Sequence, residues 1–242
     1  MERRIICAGS VRSGSTWQFN AVRFLYEAAG QVCYGAWIED YDSSRDEKVH
    51  VLKTHMLPLL VRHDIVLTSY RDLRDVVASY VRMGWLDSKE AGALDRFLDN
   101  YVVNLDVLCT EARHVMRFEA MMDDPTAELV HLSRSLELVL DTDAIEGVRR
   151  RIDELRPATD APAGTQTDYD PETQLHAGHM GRSSLALNAV WKSHIEKRYW
   201  RWLRRHGYIV AGSSWRIEDL AHTVRLAWRA NTARRLRIPT AK

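Results

Sequence analysis

Residues 9–17 read GSVRSGSTW and directly follow the apolar run Ile5, Ile6, Cys7 and Ala8. A short strand, a turn bounded by Gly9 and Gly14, and a helix carrying Trp17, Phe19 and Val22 have the outline of a phosphate-binding loop. The general form of that loop is G-x-x-x-x-G-K-[ST]. The two glycines and Thr16 keep its spacing, Ser15 stands where the lysine belongs, and the cation sits inside the turn as Arg12. Backbone N–H groups at a helix N-terminus point outward with partial positive charge and stabilise an anion. Glycine lets the backbone approach that anion closely. Ser13, Ser15 and Thr16 add hydroxyl donors, and Arg12 adds a charged planar fork. The alternative is a surface turn with an incidental Ser/Gly cluster.

Working outward, further apolar runs suited to buried parallel strands occur at residues 49–52, 65–69 and 114–118. Helical patterns separate them. One runs from Thr16 to about Ala29, ending near Gly30. A second follows Arg71 and carries Val76, Val77, Tyr80 and Val81. A third holds Leu94, Phe97, Leu98, Tyr101, Leu105 and Leu108 at helical spacing. Strands alternating with helices predict an α/β fold with a central parallel sheet covered on both faces. Ligands of such sheets bind at the C-terminal strand ends, where residues 9–17 lie. Asp124 and Pro125 open a helix with Leu129, Leu132, Leu136 and Leu138, and Asp141 or Asp143 caps another through Ile145, Val148, Ile152 and Leu155. Residues 157–173, PATDAPAGTQTDYDPET, are poor in large apolar residues and read as a long or mobile loop. Apolar periodicity resumes from Leu185 through Trp191, Ile195, Tyr199, Trp202 and Leu203, closing at Gly207.

Residues 216–242 read as an amphipathic helix, with Ile217, Leu220, Val224 and Trp228 on one face, and a basic tail. The expected organisation is one domain over residues 1–215, with residues 157–182 as a loop over the site, and this C-terminal appendage. Packing on the body is the default for the appendage. Pairing in a homodimer and contact with an anionic membrane surface are the alternatives.

The chain has 242 residues and a formal net charge of +1, which argues neither for nor against nucleic acid. No apolar run is long enough to span a bilayer. Met1, Glu2, Arg3 and Arg4 lead straight into the first strand, so no secretory signal is expected. Cys7, Cys33 and Cys109 are odd in number, suit a reducing compartment and form no zinc-ligand pattern. A cytoplasmic location is the expectation.

Two further stretches lie at strand ends. In LKTHMLP, Lys53 and His55 are two residues apart and share one side of the chain. Both could reach an anion or hydroxyl above the sheet, and histidine is suited to taking a proton from an alcohol near neutral pH. A solvated lysine and a histidine satisfied in a turn are the alternative. In YRDLRDVVASY, Asp72 is a candidate N-cap, and Ser79 lies about two turns into the helix, where it need not face Arg71. A charged helix start with internal ion pairs is the alternative there.

Taken together and in this order, GSVRSGSTW, LKTHMLP and YRDLRDVVASY resemble the PAPS-dependent sulfotransferases of the soluble, small-molecule type. Their signatures are P-K-[SAT]-G-[ST]-T-W, K-T-H and R-x-x-[KR]-D-x-x-x-S. FEAMMDDPTAEL, beginning at Phe118, resembles the family's Y-E-D-M-x-x-[DN]-P segment, so that the likeness covers residues 4–138. It implies a P-loop-like sulfotransferase fold. It also implies PAPS as co-substrate, with 3′-phosphoadenosine 5′-phosphate as product, and a small-molecule acceptor; no nucleic-acid partner and no metal are implied. By resemblance, Arg12 takes the place of the loop lysine that contacts the phosphosulfate. Ser13, Gly14, Ser15, Thr16 and Trp17 cradle the 5′-phosphate and approach the adenine. Lys53 stabilises transferring charge and His55 is the general base. Arg71 and Ser79 hold the 3′-phosphate, and Phe118 lies beside the adenine.

The family's late R-K-G-x-x-G element aligns with residues 176–181, HAGHMG, where the glycines persist and the basic pair does not. Arg182, or His176 and His179, are the candidate replacements. Tyr34, Trp37, Tyr41 and Trp85 are candidate walls for a hydrophobic acceptor. Two competing readings are an ATP- and magnesium-dependent P-loop kinase and a non-catalytic nucleotide-binding protein. Ser15 at the lysine position argues against the first. The joint presence of Arg12, Lys53 and His55 argues against the second.

Overall fold

The computed structural model describes residues 2–56, 61–86, 91–156 and 187–209. Five strands form one all-parallel sheet: β1 (Arg3–Cys7), β2 (Cys33–Trp37), β3 (Val49–Lys53), β4 (Ile65–Tyr70) and β5 (His114–Arg117), in the order β2-β3-β1-β4-β5. Helices α1 (Ser15–Ala28), α2 (Leu73–Arg82), α3 (Ala91–Glu111), α4 (Phe118–Asp123), α5 (Pro125–Ser135), α6 (Thr142–Glu154), α7 (Ala189–Arg198) and α8 (Trp200–Arg205) complete the described elements.

Alternation along the strands divides the core into two faces. Ile5, Cys7, Val49, Val51, Ile65 and Leu67 pack against α1, α5 and α6, and Ile6, Leu52 and Val66 face Leu108 of α3. Strands buried on both sides read as continuous apolar runs, which is why β1, β3 and β4 stand out in the sequence. A third apolar cluster joins α2 and α3 to α7 and α8 through Leu73, Leu98, Trp191, Ile195 and Trp202. The predicted helix after Leu185 is interrupted at Tyr199. Its phenol is buried and donates to Asp99 Oδ1 at 2.7 Å, and the backbone there leaves helical geometry.

Three boundaries differ from the sequence reading. Residues 33–37, which are not among the predicted strands, form the edge strand β2. Its signal is weak because Gly35 interrupts it: a Cβ there would lie 2.7 Å from Arg23 Nε and 3.0 Å from Phe19 Cζ of α1. The last apolar run ends as strand at Arg117, and Phe118 opens α4. Helix α5 ends at Ser135, so Leu136 caps it and Leu138 lies beyond the following turn. Asp72, Asp124 and Asp141 cap α2, α5 and α6 by accepting from backbone N–H groups, which settles the choice between Asp141 and Asp143. The segments 157–182 and 216–242 and the residues His176, His179 and Arg182 lie outside the described residues.

Gly14 joins β1's loop to α1 as its N-cap with φ 87°, a left-handed backbone that only glycine adopts without strain. A Cβ on it would also stand 3.0 Å from the Phe118 ring. Gly14→Ala is therefore expected to lower unfolding free energy by about 1–2 kcal/mol, measurable by urea denaturation; an unchanged midpoint would show that the turn is not constrained as described.

Candidate functional site

The strand order places the C-terminal ends of β3, β1, β4 and β5 side by side. Each is followed by one of the sequence-predicted pieces: Lys53 and His55, the 9–14 loop, Arg71, and Phe118. The loop is tied to β4. Ser10 N donates to Ser69 O at 3.2 Å, Ser13 Oγ lies 2.7 Å from Ser69 Oγ, and Ser13 Oγ also donates to Ser10 O. A Cβ on Gly9 would overlap Ser69 Oγ and Ser15 Cβ, so this close approach requires glycine. Arg12 has φ 63°, an uncommon backbone for a residue with a side chain, and strain of this kind concentrates at functional sites. The strained turn aims its guanidinium at the neighbouring helix: Arg12 Nε donates to Ser79 Oγ at 2.8 Å, and its guanidinium carbon lies 5.8 Å from the Trp85 ring centroid.

Lys53 is buried, at 1% exposure. Its ammonium donates to Thr16 Oγ1 at 2.7 Å and lies 4.6 Å from the Trp37 ring centroid. Burial, with further repulsion from Arg12, pushes its pKa down from 10.5 to about 7. His55 is half-buried and is edge-on to Trp37, with ring centroids 5.1 Å apart. Its Nδ1 lies 2.7 Å from Gly9 O. A carbonyl can only accept, so Nδ1 carries the proton and Nε2 keeps the lone pair of the neutral ring. Burial first, then repulsion from Lys53 and Arg12, pushes the pKa of His55 down to about 3, so the neutral form is the one present near neutrality.

Arg71 and Phe118 meet directly, the guanidinium carbon 4.1 Å from the ring centroid. Arg71 also pairs with Asp75 at 3.4 Å, and its buried Nε has no hydrogen-bond partner among the described residues. Ser79 is buried and bonded to Arg12, not to Arg71, so the sequence-predicted pair does not meet directly. Ser13, Ser15 and Thr16 are buried at the start of α1, while Trp17 is partly buried against the α1–α5–α6 core.

Of the four candidate acceptor walls, Trp37 stands beside His55 and Lys53, and Trp85 beside Arg12. Tyr34 and Tyr41 pack instead on His50, which accounts for their aromatic character without an acceptor. Met56, next to His55 and 63% exposed, was not singled out from sequence, and nothing in its local pattern marks it. Among the described residues no cluster of three His, Cys, Asp or Glu side chains could hold a metal ion, and no helix is long and apolar enough to cross a membrane. The chain matches no family model and no curated protein.

The arrangement can do two things chemically. A guanidinium and a buried ammonium sit at one loop that also carries helix N-terminal amides, and this concentrates positive potential where an anion would enter. A neutral imidazole with a defined lone pair stands beside them. Because the folded pKa of Lys53 lies below its unfolded value, the unfolded chain binds the extra proton between pH 7 and 10.5, so this contribution to stability grows with rising pH and is lost as pH falls toward 7. His55 acts in the same sense, losing its contribution as pH falls from 6.5 toward 3. The buried thiols and phenols with raised pKa work oppositely near pH 9 and above. The difference in stability between the wild type and Lys53→Met isolates the lysine. It is expected to move in favour of the wild type from pH 7 to 9, and a difference independent of pH would refute the depressed lysine.

Proposed function

We infer that this site binds PAPS and transfers its sulfuryl group to a hydroxyl of a small-molecule acceptor, on a P-loop-like sulfotransferase fold. The observation carrying this reading is the convergence of Arg12, Lys53 and His55 on one loop, with Arg71 and Phe118 at the next strand ends. Three features fit a bisphosphorylated nucleotide: the close-packed Gly9, the buried Lys53, and the buried Arg71 Nε with unspent donor capacity. Two separate cationic positions, Arg12 with Lys53 and Arg71 with its aromatic partner, suit two phosphate groups better than one. Ser15, buried as the first residue of α1, leaves no lysine where an ATP-binding loop has one.

When bound, PAPS supplies the sulfuryl group and departs as 3′-phosphoadenosine 5′-phosphate. Arg12, Lys53 and the loop amides place fixed positive charge where negative charge would develop, without reorganisation at the moment of reaction. His55 Nε2 takes the acceptor's proton, its ring held in the needed tautomer by Gly9 O. Its pKa is low while it faces the positive charges of Lys53 and Arg12. An anion on those cations removes part of the repulsion and raises the ring's basicity toward a working value. Trp37, Trp85 and the exposed Met56 give the acceptor approach an apolar, aromatic lining.

Incubation with sulfur-labelled PAPS and a panel of phenolic and aliphatic alcohols tests the activity. Label transfer to at least one acceptor is expected, and His55→Ala should reduce the turnover rate by about 10²- to 10⁴-fold. In thermal-shift assays 3′-phosphoadenosine 5′-phosphate should stabilise the protein more than ATP with magnesium. The opposite ranking would favour a kinase.

A further inference from the structure

Glu119 is the second residue of α4 and follows Phe118, the residue whose ring covers the Arg71 guanidinium. Both oxygens of its carboxylate are engaged. Oε1 accepts from the backbone N–H of Asp72 at 3.1 Å, and Oε2 accepts from Tyr208 Oη at 2.8 Å and from Arg117 Nε at 3.3 Å. Asp72 is the residue directly after Arg71 and the N-cap of α2. One side chain therefore holds both halves of the Arg71–Phe118 contact: its own backbone continues Phe118, and its oxygen fixes the peptide that carries Arg71.

The clamp extends to the chain after α8. Tyr208 gives its hydroxyl proton to Glu119 and accepts through its carbonyl from Arg74 Nη2 at 3.2 Å. Arg74 in turn holds the Asp72 carboxylate and pairs with Glu196 of α7 at 2.6 Å. Arg117 lies over the Tyr208 ring at 4.7 Å. The closed path Glu119–Asp72–Arg74–Tyr208–Glu119 is built from hydrogen bonds with charged partners, which are the stronger kind. It runs beside Arg71, whose buried Nε has no hydrogen-bond partner among the described residues.

We propose that Glu119 is a positioning residue that makes the site select for a second phosphate, by holding Arg71 in register on Phe118 through the Asp72 amide and the Tyr208 strap. Glu119 touches no reacting atom; it acts through Arg71. The proposal rests on the reading of this site as one for a bisphosphorylated nucleotide. A carboxylate that only stabilised the fold would affect every ligand alike, whereas a carboxylate that aims Arg71 affects only the ligand that Arg71 reaches.

Equilibrium binding of 3′-phosphoadenosine 5′-phosphate and of adenosine 5′-phosphate to the full chain separates these outcomes. The wild type is expected to prefer the bisphosphate. Glu119→Ala should weaken the bisphosphate about tenfold or more, the scale of one lost charge-assisted hydrogen bond, and change the monophosphate less than about twofold. Glu119→Gln keeps an oxygen for the Asp72 amide and should restore most of the preference. Tyr208→Phe, which removes only the strap's hydroxyl, should give an intermediate loss. Thermal melts of each variant verify that it is folded, and Tyr208→Phe carries the test if Glu119→Ala does not fold. Parallel weakening of both ligands, or an unchanged preference in Glu119→Ala and Tyr208→Phe, overturns the positioning role. A folded wild type that binds the two ligands equally overturns the bisphosphate reading itself, and the role of Glu119 with it.

Discussion

Burial of the Lys53 ammonium is the constraint around which the rest of this site is arranged. A charged group removed from water is costly unless it is paired or gives up its proton, and Lys53 at 1% exposure is pushed toward the second course. The cost is met in part by Thr16, in part by the Trp37 face, and the remaining repulsion from Arg12 persists. A second cation beside a buried lysine raises the local positive potential further. The strained backbone at Arg12 points the same way, because free energy is held in a turn that a glycine would adopt more easily.

The sheet turns this local tension into a site. Strand order β2-β3-β1-β4-β5 puts β1 in the centre, so its loop has the β3 end on one side and the β4 and β5 ends on the other. His55 and the buried Lys53 arrive from β3, and the Arg71–Phe118 contact arrives from β4 and β5. Lys53 ends a buried strand and Phe118 opens a helix, and such elements hold side chains more firmly than free loops. The loop's own register is fixed by Ser10 and Ser13 against Ser69, which couples the position of Arg12 to β4.

Much of this was legible in the sequence because its cause is local. Buried parallel strands leave unbroken apolar runs, and β1, β3, β4 and most of β5 follow from them. The N-caps Asp72 and Asp124 follow from side-chain chemistry at one position. The adjacency of Arg12, Lys53, His55, Arg71 and Phe118 was legible only through the order of motifs at successive strand ends. What stayed hidden is set by tertiary packing. Edge strand β2 carries Gly35 because Arg23 lies against it, which no strand pattern in CYGAW reveals. Tyr34 and Tyr41 look like any other aromatic residues near a site until the backbone brings them onto His50. The Arg12–Ser79 bond joins residues 67 positions apart, and the bonds of Glu119 form only once Asp72 and Tyr208 are brought to it.

If the Lys53–Arg12 pair receives an anion, binding should draw a proton onto Lys53. Calorimetric titration with 3′-phosphoadenosine 5′-phosphate at pH 8, in two buffers of different ionisation enthalpy, measures that uptake. With a lysine pKa of about 7 in the free protein, an anion that restores the lysine's ordinary value should bring about one proton per site. Lys53→Arg, which does not titrate in this range, should bring close to none. Binding without proton uptake by the wild type, or equal uptake by Lys53→Arg, would show that the anion does not sit on Lys53.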